Sequence, residues 1–143
     1  MRLHGAHPNP SNLLLPLPSE SVTAGFPSPA DNYVEDNIDL NEELIHRPAS
    51  TFFLRVKGDS MSNAGILDGD LLIVDRSLDA KPGNIVVAIL DGAFTLKKLT
   101  YRKNIPYLEA ANHNYPIIDL RRYGAVQIWG VAIYSIHTLP RRK

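Results

Sequence analysis

From residue 51 onward the chain is a succession of short apolar runs punctuated by turns. The runs are "TFFLRVKG", "DLLIVDRS", "NIVVAILDG", "AFTLKKLTY", "IPYLEAA", "YPIIDL" and "VQIWGVAIYSIHTL". They are rich in Val, Ile, Leu, Phe and Tyr, the residue types that pack well on a pleated surface. Asp68-Gly69, Lys81-Pro82-Gly83, Asp91-Gly92 and Asn112-His113-Asn114 separate them, and each group favours a tight turn. Strands at this spacing predict a mainly β domain over 51–143, a small antiparallel sheet that is curled or barrel-like. The 143 residues, of which 44% are hydrophobic, suffice for one domain with a packed core.

Upstream the pattern changes. Prolines at 8, 10, 16, 18 and 27 interrupt the first 27 residues. Proline lacks the amide donor and keeps its predecessor extended. This predicts an extended N-terminal arm over 1–24, with room for one short strand around 13–15. A linker with one or two short helices is expected over 25–50. Ser28 can cap the first, with Pro29 at its first position and Asp31 in its first turn. Asp39 followed by Glu42 resembles a capping box for the second, which Pro48 would stop. Tyr33, Val34, Ile38, Leu44 and Ile45 would supply the apolar contacts.

Several chemistries are excluded or left without support. The chain has no cysteine, hence no disulfide, thiolate metal site or thiol nucleophile. Of the five histidines, only His4 and His7 are close in sequence, and they lie in the arm, so no metal is expected. Asp68-Gly69-Asp70 lacks the spacing of a calcium loop and reads as a turn. No phosphate-binding glycine pattern occurs, and no cofactor is expected. Lys plus Arg equals Asp plus Glu, 15 each, which gives no general attraction to nucleic acid or anionic membrane. Arg121-Arg122 and the tail "PRRK" read as solvated surface, so direct DNA contact is not expected. No apolar run approaches the ~20 residues that span a bilayer, and a cytoplasmic location suits the composition.

One stretch carries a candidate nucleophile. In "VKGDSM", residues 56–61, a strand gives way at Gly58 to a turn that holds Ser60. A hydroxyl there would have backbone amides beside it that could hold an oxyanion. Equally, Asp59 or Ser60 could simply cap a helical turn. A serine needs a base, and a lysine can serve if burial keeps it neutral. "AFTLKKLTY" offers Lys97 and Lys98. Alternation puts Thr95, Lys97 and Leu99 on one face and Phe94, Leu96 and Lys98 on the other. Both faces carry apolar residues, so periodicity leaves the choice open, and two solvated lysines would fit as well.

"AGFPSPA", "VKGDSM", "GDLLIVD" and "GAFTLKKL", taken together, resemble UmuD-type proteins of the LexA/UmuD family of self-cleaving serine proteases. The resemblance runs from about residue 24 to the last strand. It implies Ser60 as nucleophile, Lys97 as general base and the bond between Ala24 and Gly25 as the one cut. It also implies a LexA C-terminal-type fold, and release of residues 1–24 by autoproteolysis that RecA on single-stranded DNA stimulates. Such proteins act in the SOS response as homodimers. Their trimmed form joins a UmuC-like, Y-family polymerase subunit in a translesion DNA polymerase.

The rival readings fit less well. A LexA-like repressor would need a helix-turn-helix domain ahead of the cleavage site, and only 24 proline-interrupted residues precede Gly25 here. A signal peptidase shares the Ser-Lys chemistry but needs a membrane anchor. A non-enzymatic binding module with the same fold would leave Ser60 and Lys97 structural.

Overall fold

The computed structural model describes residues 3–6, 12–18, 22, 24–27 and 35–140. The arm supplies two strands, β1 (Leu3–Gly5) and β2 (Leu14–Pro18). Next come β3 (Glu35–Asp39) and the short helix α1 (Leu40–Leu44). The β domain follows with β4 (Thr51–Arg55), β5 (Leu71–Asp75), β6 (Ile85–Leu90), β7 (Ala93–Arg102), β8 (Ile105–Glu109), β9 (Ile118–Asp119) and β10 (Val126–Ile136). Each of the seven apolar runs contains one of these strands.

Eight strands form one antiparallel sheet in the order β1-β4-β5-β10-β6-β7-β8-β9, and β2 pairs with β3 in a separate ribbon. Among the described residues β1 and β9 stand at its two ends and do not pair with each other, so it is an open sheet rather than a closed barrel. Its two faces bury different residues. Val87 of β6 joins Leu54, Val56, Met61, Leu72 and Trp129 in one cluster. Its neighbours Val86, Ala88 and Leu90 join Leu99, Leu108 and Val131 in the other. The alternation of a strand thus feeds two cores from one ladder.

The region before the domain departs from expectation. Residues 28–34, where a first helix was predicted, lie outside the described residues, and 35–39 form a strand instead. Asp36, Asn37 and Asp39 are poor helix-interior residues. Asp39 is the N-cap of α1, and its extended backbone (φ −104°, ψ 113°) continues the strand into the cap. Its carboxylate accepts the Asn41 amide at 3.0 Å. The helix ends at Leu44, and Pro48 opens a 3-10 turn. The arm carries a second strand, β1, besides the one expected. Pro16 and Pro18 lie two residues apart in β2, so both missing donors fall on one edge of the strand, and in a two-stranded ribbon a strand needs donors on only one of its edges.

Candidate active site

The site is built where β4 runs out. Val56 is still in the ladder, donating to the Asp70 carbonyl at 2.9 Å. Gly58 then turns the chain with φ +95°, a conformation that favours glycine, and its amide donates to Asp68 Oδ1 at 2.7 Å. The Asp68-Gly69 turn between β4 and β5 therefore holds the start of the next loop. Met61, 2% exposed, anchors the loop in the core. Between these two fixed points stands the half-buried Ser60. Neither Asp59 nor Ser60 caps the 3-10 turn at Ser62–Ala64; its cap position is Met61 and no side chain bonds there.

Opposite lies β7. Lys98 is exposed, whereas Lys97 is buried, 8% exposed, and its Nζ lies 3.1 Å from Ser60 Oγ. Two further acceptors surround the nitrogen, Thr95 Oγ1 at 3.2 Å and the Leu96 carbonyl at 3.1 Å. Thr95 is two residues back on the same face of the strand. Among the described residues, no ion pair involves Lys97. Burial therefore acts uncompensated and pushes the ammonium pKa below its usual value of 10.5.

A cleft of about 260 Å³ runs past the pair, lined among others by Val56, Gly58, Met61, Phe94 and Leu96. β8 pairs with β7 only from Lys98 onward, so residues 93–97 are laddered to β6 alone. Among the described residues no strand is laddered to their other edge, which borders this cleft. An extended peptide could add to such an edge.

Sequence reasoning missed the residues that steady the serine loop. Tyr115 donates its hydroxyl to Asp59 Oδ1 at 2.6 Å, and its ring centre is 5.9 Å from Lys97 Nζ. Asn112 Nδ2 donates to the Asp59 carbonyl at 2.9 Å, and the Asn63 amide donates to the Ala111 carbonyl at 2.8 Å. The Ala111 amide donates to Met61 Sδ at 3.4 Å. Residues 111–115 thus clasp residues 59–63. The only local sign was Asn112-His113-Asn114, a turn signal that says nothing of what the turn touches.

Ser60 and Lys97 come together; Ala24 and Gly25 do not join them. Both are exposed at a bend, and a Cβ built on Gly25 would meet nothing within 4 Å. Val22 is 95% exposed and Phe26 92%. Among the described residues, no helix is long and apolar enough to cross a membrane.

Comparison with known proteins adds to this geometry. The family model described as peptidase S24-like matches residues 16–133. The chain is 42% identical over 127 residues to protein MucA of Salmonella typhimurium, covering 88% of this chain and 86% of MucA. Protein ImpA of the same organism is 44% identical over 127 residues, 85% of this chain and 83% of ImpA. The LexA repressor of Shewanella baltica is 44% identical over 121 residues, 83% of this chain but 57% of the repressor.

Proposed function

The chain belongs to the peptidase S24-like family as a UmuD-type protein, and from that premise we propose that it is a serine endopeptidase that cuts itself between Ala24 and Gly25. The observation that carries this reading is the 3.1 Å separation of Lys97 Nζ and Ser60 Oγ, with the lysine buried. A neutral amine has two N–H donors and one lone pair. Thr95 Oγ1 and the Leu96 carbonyl can take the two donors, which leaves the lone pair for the Ser60 proton.

The steps follow from that assignment. Lys97 takes the proton as Ser60 Oγ adds to the Ala24 carbonyl carbon. Backbone amides of the turn around Ser60 hold the oxyanion. The tetrahedral intermediate collapses as the ammonium returns the proton to the Gly25 nitrogen, which leaves as an amine. Water, deprotonated by Lys97, then attacks the Ala24 ester, and Ser60 is regenerated. The small Ala24 and Gly25 let the substrate backbone approach closely, and the bend there opens into an extended strand as it docks on the edge of residues 93–97. The exposed position of the segment supports slow cleavage on its own, because docking must precede reaction.

Similarity to UmuD-type proteins supports the wider role: a cytoplasmic homodimer of the SOS response, stimulated by RecA on single-stranded DNA. The trimmed form would then join a UmuC-like polymerase subunit in translesion synthesis. Intact-mass measurement of purified protein held at alkaline pH tests the core of the reading. A product beginning at Gly25 is expected from the wild type and none from Ser60→Ala; the same product from Ser60→Ala overturns it.

A further inference from the structure

The balance of 15 cations and 15 anions hides an uneven distribution. Residues 35–43 carry five acidic side chains and no basic one, whereas 98–122 carry five Lys or Arg and two acids. The ladder gathers much of this second group at the β9 end of the sheet. Arg102 closes β7, and Tyr107 of β8 is the register partner of Asp119 in β9. The Arg102 guanidinium lies over the Tyr107 ring, 5.8 Å from its centre. Arg121 grips the Asp119 carboxylate through Nε at 3.0 Å and Nη2 at 2.8 Å, and it also interacts electrostatically with Tyr107. Arg122 is exposed and, among the described residues, in no ion pair. Three arginines thus stand about one carboxylate. Beside them opens a cleft of about 600 Å³, within the size range of small-ligand sites. Its walls include Tyr107, Tyr123, Pro116, Ile117, Asp119 and Arg122.

We propose that this cleft binds a nucleotide, free or as one unit of a single strand, with its base against a tyrosine ring and its phosphate held by the arginines. Arg121 offsets the charge of Asp119, which leaves Arg102 and Arg122 for the ligand. Arginine offers a phosphate a planar fork of donors. A base needs a flat, apolar face, and the two phenol rings supply it beside Pro116 and Ile117. An acidic peptide would use the arginines but would bring nothing flat to stack on the rings. The site lies apart from Ser60, and the proposal is independent of the self-cleavage reading.

The test uses the full-length Ser60→Ala chain and a fluorescent deoxythymidine decamer, followed by anisotropy in about 50 mM salt, where phosphate contacts count most. The decamer should bind, and more weakly as salt rises. Arg102→Ala and Arg122→Ala should each weaken binding at least about fivefold and flatten its salt dependence. Tyr107→Phe, which keeps the ring, should bind as the parent does, and Tyr107→Leu should lose about tenfold. Arg55→Ala, on β4 across the sheet, should change nothing. Circular dichroism checks that each variant folds, and the exposed arginine positions decide the matter if Tyr107→Leu does not. Unlabelled thymidine monophosphate is then added as competitor. Displacement supports a site for the free nucleotide, and displacement by unlabelled decamer alone supports a site for the strand. The proposal is overturned if the decamer does not bind, or if both arginine variants bind it as tightly as the parent. It is overturned too if a ten-residue glutamate peptide displaces the decamer as well as unlabelled decamer does, since the cleft would then be a surface for acidic protein segments.

Discussion

Lys97 is a basic side chain buried against Ser60 and, among the described residues, in no ion pair with a carboxylate. Its folded pKa lies below 10.5 because burial disfavours the charged form. The unfolded chain then holds the proton more tightly, and stability rises with pH through the window between the folded and free values. Each unit of separation is worth about 1.4 kcal/mol. Lys97→Met should accordingly be more stable than wild type in urea at neutral pH, and the gap should close above pH 10.5. Tyr115 gives a second prediction at this scale. Its hydroxyl is held protonated at alkaline pH by the hydrogen bond to Asp59, then by the carboxylate's charge and by desolvation. Tyr115→Phe keeps the ring but frees the serine loop, and should slow self-cleavage about three- to tenfold without changing the fold, read by fragment yield and circular dichroism. The pair of lysines was visible in the sequence, but the choice between them was not. Leu96 and Leu99 are both buried, so each face of the strand looks inward. Tyr115 was invisible for a different reason: it reaches Asp59 from 56 residues away.

At the scale of elements, the strands were the most legible part, because alternating apolar runs between strong turn signals have few other ways to fold. Legibility failed at 35–39. A strand there depends on a partner in a proline-rich arm, and nothing local announces the pairing. Close packing between strands was equally hidden. Gly130 in β10 has no room for a side chain, since a Cβ would lie 2.5 Å from Val74 Cγ1. The ladder to β6 shifts register between Ile128 and Gly130, beside Trp129. Gly130→Ala should therefore cost about 1–3 kcal/mol by overpacking, measured by urea denaturation of the Ser60→Ala background. Asp75, 1% exposed, ends β5. Burial alone would raise its carboxyl, but bonds from Ser77, Ser50 and Arg47 outweigh that and hold it below 3.8. Its share of stability is present at neutral pH and is lost as pH falls through that lowered value.

At the scale of the whole molecule, the proposed reading makes protease and substrate parts of one chain. The sheet fixes Ser60 and Lys97 at one cleft, while the bond between Ala24 and Gly25 stands exposed on the arm. Both halves carry motifs short enough to read in the sequence; their separation in space could only come from the fold. The central claim is that a neutral Lys97 activates Ser60 toward that bond, and the rate of Gly25-fragment formation against pH tests it most directly. The rate should climb from neutral pH and level off below pH 10.5, and Lys97→Ala should be at least about a hundredfold slower throughout. A rate indifferent to pH, or Lys97→Ala cutting as fast as wild type, would contradict it.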